Sequence, residues 1–152
     1  ACPMLLVPGK SVNLSPMPIE AVAYNQPPSL RVRNIERGVG AATATFRAGP
    51  DHLNLKGMLH GGIIAGLMDA IMAIAAGSHP DPKKRQFSIT LSLAINFVGA
   101  AGDEELFLSA QTTGGGKRTA FLEARINNAG GDPIATAQAT FKLLPPGSEV
   151  KE

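Results

Sequence analysis

The chain has 152 residues, 44% of them hydrophobic and 17% charged, with a formal net charge of +2. That balance describes one globular domain with its own core and excludes a disordered or coiled-coil chain. So small a charge gives no ground for nucleic acid or a membrane surface as partner, and without Trp there is little to stack single-stranded bases on.

Cys2 is the single cysteine, so no internal disulfide forms and a reducing, cytoplasmic location is expected. The opening ACPMLLVPGK has a short apolar patch but no basic flank, and reads as a tail or arm rather than a signal peptide. Prolines at 8, 16, 18, 27 and 28 punctuate the segment up to Ser29. Between them MPIEAVAYN suits a short helix, with Ser15 as cap and Pro16 in the first turn. Residues 1–28 are therefore expected to be an N-terminal arm with a short helix, 29–144 the folded domain and 145–152 a tail.

SLRVRNIE (29–36) and GAATATFRA (40–48) alternate as strands do, and Gly38-Val39-Gly40 joins them as a hairpin. A loop over 49–60 leads into the apolar run from Gly61 to Ala76, a long helix. From Ile63 to Ala76 it is too short to span a bilayer, and it carries Asp69. GSHPDPKKRQ then breaks regular structure.

In SITLSLAINFV, Ile89, Leu91, Leu93, Ile95 and Phe97 fall on one strand face, with Thr90, Ser92 and Asn96 on the other. Three more strands come after it. Leu106, Leu108 and Ala110 line the first; Ala120, Leu122, Ala124 and Ile126 the second; Ala135, Ala137, Ala139, Phe141 and Leu143 the third. The connectors GAAGDE, TTGGGK and NAGGDP are glycine-rich, as tight antiparallel turns require. A helix apolar on every side must be covered on every side. Six curved antiparallel strands wrapped around one long central helix, with a second subunit over the remainder, meet that need. This is the α+β hot-dog arrangement.

Asp69 is the one ionisable residue of the helix. A carboxylate among Ile, Leu, Met and Ala is costly unless compensated. Either it bonds backbone amides structurally or it serves as base or nucleophile. At the helix start, His60-Gly61-Gly62 offers open backbone amides, and the missing Cβ atoms allow close approach. With the helix dipole, such an end suits an oxyanion, or it merely allows tight packing. Eight residues separate Gly61 from Asp69, about 12 Å along a helix. One substrate cannot touch both on one chain, so a catalytic role for both predicts a homodimer with shared sites.

No G-x-S-x-G elbow occurs. His52, His60 and His79 are spaced unlike zinc ligands, so no metal site is expected. Lys117 and Arg118, beside the glycines at 114–116, are candidates for ligand phosphates or for a solvated turn. Lys83, Lys84 and Arg85 read as a solvated loop.

Asn54, Gly57, His60, Gly61 and Gly62, with Asp69 further along, spell N-x-x-G-x-x-H-G-G with a mid-helix Asp. Over roughly residues 40–144 the chain resembles the hot-dog acyl-CoA thioesterases of the phenylacetate-pathway, PaaI-like type. The resemblance implies that Asp69 is general base or nucleophile and that the Gly61 amide of the opposite subunit holds the thioester oxygen. It implies that Asn54 and His60 position the thioester or water, and that Thr90 orients that water. Gly62 belongs to the same helix end, and Gly116, Lys117, Arg118 and Thr119 match where the family holds pantetheine and phosphates. It further implies dimers that pair into tetramers, an acyl- or aryl-CoA substrate and no cofactor beyond the coenzyme A of the substrate. A hot-dog dehydratase or hydratase and a non-catalytic acyl-CoA-binding protein are the alternatives. The packing of Met68, Met72, Phe97 and the opposing N-terminal segment across the dimer is expected to set the size of the acyl pocket.

Overall fold

The structure, a computed structural model, describes residues 15–16 and 28–145. Its elements are β1 (Ser15–Pro16), β2 (Arg33–Gly38), β3 (Ala41–Arg47), α1 (Gly61–Ala76), β4 (Ser88–Phe97), β5 (Glu105–Gly115), β6 (Thr119–Asn128) and β7 (Pro133–Leu143). Three short 3-10 turns, Pro28–Leu30, Pro50–His52 and Pro82–Lys84, each start on a proline, whose fixed φ suits a first helical turn. Most of the expected N-terminal helix lies outside the described residues. Ser15 and Pro16, expected as its cap and first turn, are instead extended and pair with Arg37 and Glu36.

All strands pair antiparallel in one sheet of order β1-β2-β3-β5-β6-β7-β4. The sheet curves around α1, which touches every strand from β3 to β7. Alternation decides which side chains face the helix. Leu106, Leu108, Ala120, Leu122, Ile126, Ala135 and Phe141 are buried, as their spacing predicts. From α1, Leu67, Met68, Ile71 and Met72 are completely buried against them. Each such side chain contributes about 1.5–3 kcal/mol by leaving water. Met68 and Met72 are thus core residues rather than pocket walls. Their spacing of four puts both on the sheet-facing side of α1.

Two expectations fail for reasons of topology. GAAGDE (99–104) is not a tight turn. Inserting α1 after β3 carries β4 to the far edge beside β7, while β5 lies between β3 and β6. The segment therefore crosses an end of the sheet, where Ala101 is buried and its carbonyl accepts a hydrogen bond from the Leu59 amide at 2.8 Å.

The second is in β4. Thr90 pairs with Phe141 and Ser92 with Thr140, leaving Leu91 as an extra, bulged residue. Strict alternation put Ile89 and Leu91 on the face of Leu93. The bulge inverts the strand before it: Ser88 and Thr90 turn to the helix, while Ile89 and Leu91 are 48% and 59% exposed.

Candidate active site

The turn into α1 is held by its own backbone. The Asn54 side-chain oxygen accepts hydrogen bonds from the Lys56 and Met58 amides at 2.9 and 3.1 Å. The Asn54 amide donates to the Met58 carbonyl at 2.7 Å, and the Gly57 amide, on a residue with φ 71°, donates to the Asn54 carbonyl at 2.9 Å. The His60 amide donates to the His52 carbonyl at 3.0 Å. Asn54 therefore braces the loop with its oxygen and retains its NH2 for another partner.

His60 is the N-cap of α1, and its carbonyl accepts from the Ile63 and Ile64 amides. Its side chain is exposed and makes no cap. The amides of Gly61 and Gly62 make no hydrogen bond among the described residues, so the helix opens on two unspent donors. Both glycines are exposed, and the Phe97 ring lies 3.6 Å from where a Gly61 Cβ would sit. The end of β4 is thus beside the start of α1.

Two turns on, Asp69 is half-buried, and Thr90 donates its hydroxyl to the Asp69 Oδ1 at 2.6 Å. Four residues further, the Ser88 hydroxyl donates to the Ala73 carbonyl at 3.1 Å. Sequence reasoning missed Ser88; its spacing of two from Thr90 was the available signal. On this side α1 presents Gly62, Ala65, Gly66, Asp69 and Ala73, none of them fully buried. Gly66 leaves room there for the end of the Leu30 side chain, which a Cβ at 2.7 Å would push aside.

Gly116, Lys117 and Arg118, all exposed, form the β5–β6 connection, and Thr119 opens β6. The Gly116 amide donates to the Thr119 carbonyl at 2.8 Å. Gly115 has φ 126°, and a Cβ there would lie 2.2 Å from the Thr119 carbonyl oxygen, so only glycine fits. Ala120 pairs with Phe141, which pairs with Thr90. That register sets the turn two strands from Thr90, about 10 Å across the sheet.

The chain thus joins Asp69 to Thr90 with the basic turn nearby. It gathers Asn54, His60, Gly61 and Gly62 into a second cluster, and it does not bring the two clusters together. At the far end of α1, the buried Arg37 guanidinium donates to the Ile74 carbonyl at 3.3 Å. Burial, with Arg85 nearby, lowers its pKa to about 10. Burial also lowers that of Arg85, opposed by Asp81.

The sequence profile of the thioesterase superfamily matches residues 56–135, which include α1, Asp69, Thr90 and the basic turn. The chain belongs to the thioesterase superfamily. An Archaeoglobus fulgidus protein with a provisional esterase name is 30% identical over 112 residues, 73% of this chain and 70% of that protein. Two solved structures share this thioesterase's hot-dog fold. The E. coli PaaI protein from the phenylacetic acid degradation operon is 20% identical with TM-score 0.66, over 76% of this chain and 80% of that one. A hypothetical thioesterase of Streptococcus pneumoniae, solved with coenzyme A, is 23% identical with TM-score 0.62, over 78% and 85%.

Proposed function

We propose that this thioesterase hydrolyses an acyl- or aryl-CoA to the free acid and coenzyme A, in two sites shared across a homodimer. The observation that carries the reading is the Asp69–Thr90 hydrogen bond, on the side of α1 whose residues are not fully buried. The hydroxyl occupies Oδ1, so Oδ2 is left to take a proton from water. As that water's oxygen bonds to the thioester carbon, the carbonyl electrons move to oxygen, and amides at a helix start stabilise the charge. A well-placed donor contributes about 3 kcal/mol. The C–S bond then breaks, the electron pair leaves on sulfur, and the proton held by Asp69 passes to the thiolate. In the nucleophilic variant Oδ2 itself attacks the thioester carbon, the C–S bond breaks to release the coenzyme A thiolate, and water hydrolyses the resulting mixed anhydride to the free acid and the Asp69 carboxylate.

The second copy is required by distance and suggested by β4. Among the described residues this ten-residue strand ends the sheet with an unpaired edge, with Leu91 and Phe97 exposed on it and Val98 exposed just after it. Long apolar edges of this kind pair with another chain. Antiparallel pairing of β4 with its copy about a two-fold axis at Ala94 keeps Leu93 opposite Ile95 on one face and, with Leu91 bulged out, sets Thr90 opposite Phe97 of the partner subunit. Phe97 lies beside Gly61, so Asp69 then faces the partner's Gly61. Phe97 becomes a wall of the acyl pocket, and Asn54 and His60 approach the thioester from the Gly61 side. Gly116, Lys117, Arg118 and Thr119 receive the phosphates on the Asp69 side. The outer sheet face, with Ile89 and Phe121 exposed, is where two dimers would join.

The testing experiment is thiol release from short, medium, long and aromatic acyl-CoAs by wild type and Asp69→Asn. Release by wild type that is lost in the variant supports hydrolysis. Tight binding without release by either would make the protein a binder instead.

A further inference from the structure

A cavity of about 250 Å³ opens at the start of β2, lined by Arg31, Arg33, Phe46, Arg47 and His52. We propose that it binds the phosphate groups of a small molecule. The inference stands on this cavity and does not depend on the catalytic reading.

The strand itself concentrates the charge. Arg31 and Arg33 flank the buried Val32, so alternation turns both away from the core together. Arg47 joins them from β3 and is answered by Asp103 at 2.7 Å. Glu105 lies opposite Arg47 in the register, and Asp51 adjoins His52, but among the described residues neither forms an ion pair with Arg31 or Arg33. Two guanidiniums therefore face one small space without a counter-charge among the described residues. Their planar, multi-donor ends match phosphate oxygens.

Neighbouring groups are set for the same ligand. The Gly49 amide donates to His52 Nδ1 at 3.0 Å, which leaves Nε2 as the donor of a neutral ring. The buried Phe46 ring packs edge-on to that imidazole at 5.0 Å and fixes it. Beside Arg33, β2 shifts register and Asn34 takes φ 51°, held by its NH2 bonding the Thr45 hydroxyl at 2.9 Å. Asparagine tolerates that left-handed conformation, and the irregularity it marks re-aims the neighbouring Arg33. Because the His52 carbonyl receives the His60 amide, the cavity adjoins the open end of α1.

The phosphates belong either to a coenzyme A thioester reaching out of the active site or to a separate phosphorylated metabolite. Titration calorimetry of the full chain with inorganic pyrophosphate tests the site. Saturable binding is expected, weakened at least about tenfold in Arg31→Gln/Arg33→Gln and unchanged in Lys83→Gln/Lys84→Gln. Should the double variant not fold, Arg31→Gln and Arg33→Gln singly, each at an exposed position, give the same comparison. No saturable binding by wild type, or equal binding by the arginine variants, overturns the proposal. Titrating coenzyme A into the pyrophosphate-loaded protein then assigns the source. Displacement makes the phosphates the substrate's own, and simultaneous binding makes them a separate ligand's.

Discussion

Thr90 donates its hydroxyl to Asp69 at 2.6 Å across 21 residues of chain, and it does so because Leu91 bulges out of β4. Without the bulge, Thr90 would share the face of Ser92, away from the helix. The hydrogen bond fixes one carboxylate oxygen, so in the proposed mechanism the other is left for water and Thr90 acts through Asp69. Thr90→Val keeps the shape and removes the donor. It is expected to lower kcat about tenfold with little change in KM, whereas Asp69→Asn lowers kcat by about 10²–10⁴. Steady-state kinetics on one acyl-CoA, with the melting temperature as control, checks the split. An effect of Thr90→Val confined to KM would remove it from the chemistry.

The basic turn gives a different signature. Lys117 and Arg118 are exposed and lie about two strands from Thr90, so in the proposed reaction they would meet the far end of the substrate. Lys117→Ala/Arg118→Ala is expected to raise KM for an acyl-CoA several-fold. The same acyl group on N-acetylcysteamine, which has no phosphates, should be turned over as before. Equal losses on both substrates would mean that the turn is structural.

Arg37 makes stability depend on high pH. Burial lowers its folded pKa to about 10, well below the ordinary arginine value of the unfolded chain, so the unfolded chain binds the extra proton between those values. Stability therefore rises with pH through that window, because the folded state is relieved of a buried charge first. Between pH 9 and 10.5 this amounts to somewhat under about 1 kcal/mol. Urea unfolding of wild type and Arg37→Met at both pH values isolates it from the titration of lysines. The wild type should gain more than the variant on raising the pH. Identical gains would show that Arg37 is not the source.

Much of this molecule was legible before its structure. β5, β6 and β7 alternate cleanly, and Leu108, Leu122 and Phe141 are buried where period two places them. The helix was plain from its apolar run, and its start and Asp69 from the open glycines and the lone charge. What stayed hidden depends on contacts between distant segments. A bulge is one surplus residue whose location is settled by β7, so the outward turn of Ile89 and Leu91 could not be read from β4 alone. The path of 99–104 depends on which strand β4 pairs with, and local glycine content says nothing of that. Met68 and Met72 looked adaptable, but their side of α1 is the core. Arg31, Arg33, Arg47 and His52 are scattered over 22 positions, and only the fold gathers them around one cavity.

In the proposed dimer each active site takes Asp69 from one subunit and Gly61 from the other. Gly61→Pro deletes the Gly61 N–H at the first helical position, where proline is well accepted, and the extended His60 before it (φ −61°, ψ 137°) is already compatible. Alone, Gly61→Pro and Asp69→Asn should each give folded dimers with little thiol release. Co-expressed, half of the dimers are mixed, and each mixed dimer holds one site with both groups intact. Recovery to about a quarter of wild-type activity is expected in the co-expressed sample. Recovery no greater than the sum of the two variants, in a sample shown to contain mixed dimers, would contradict the shared site.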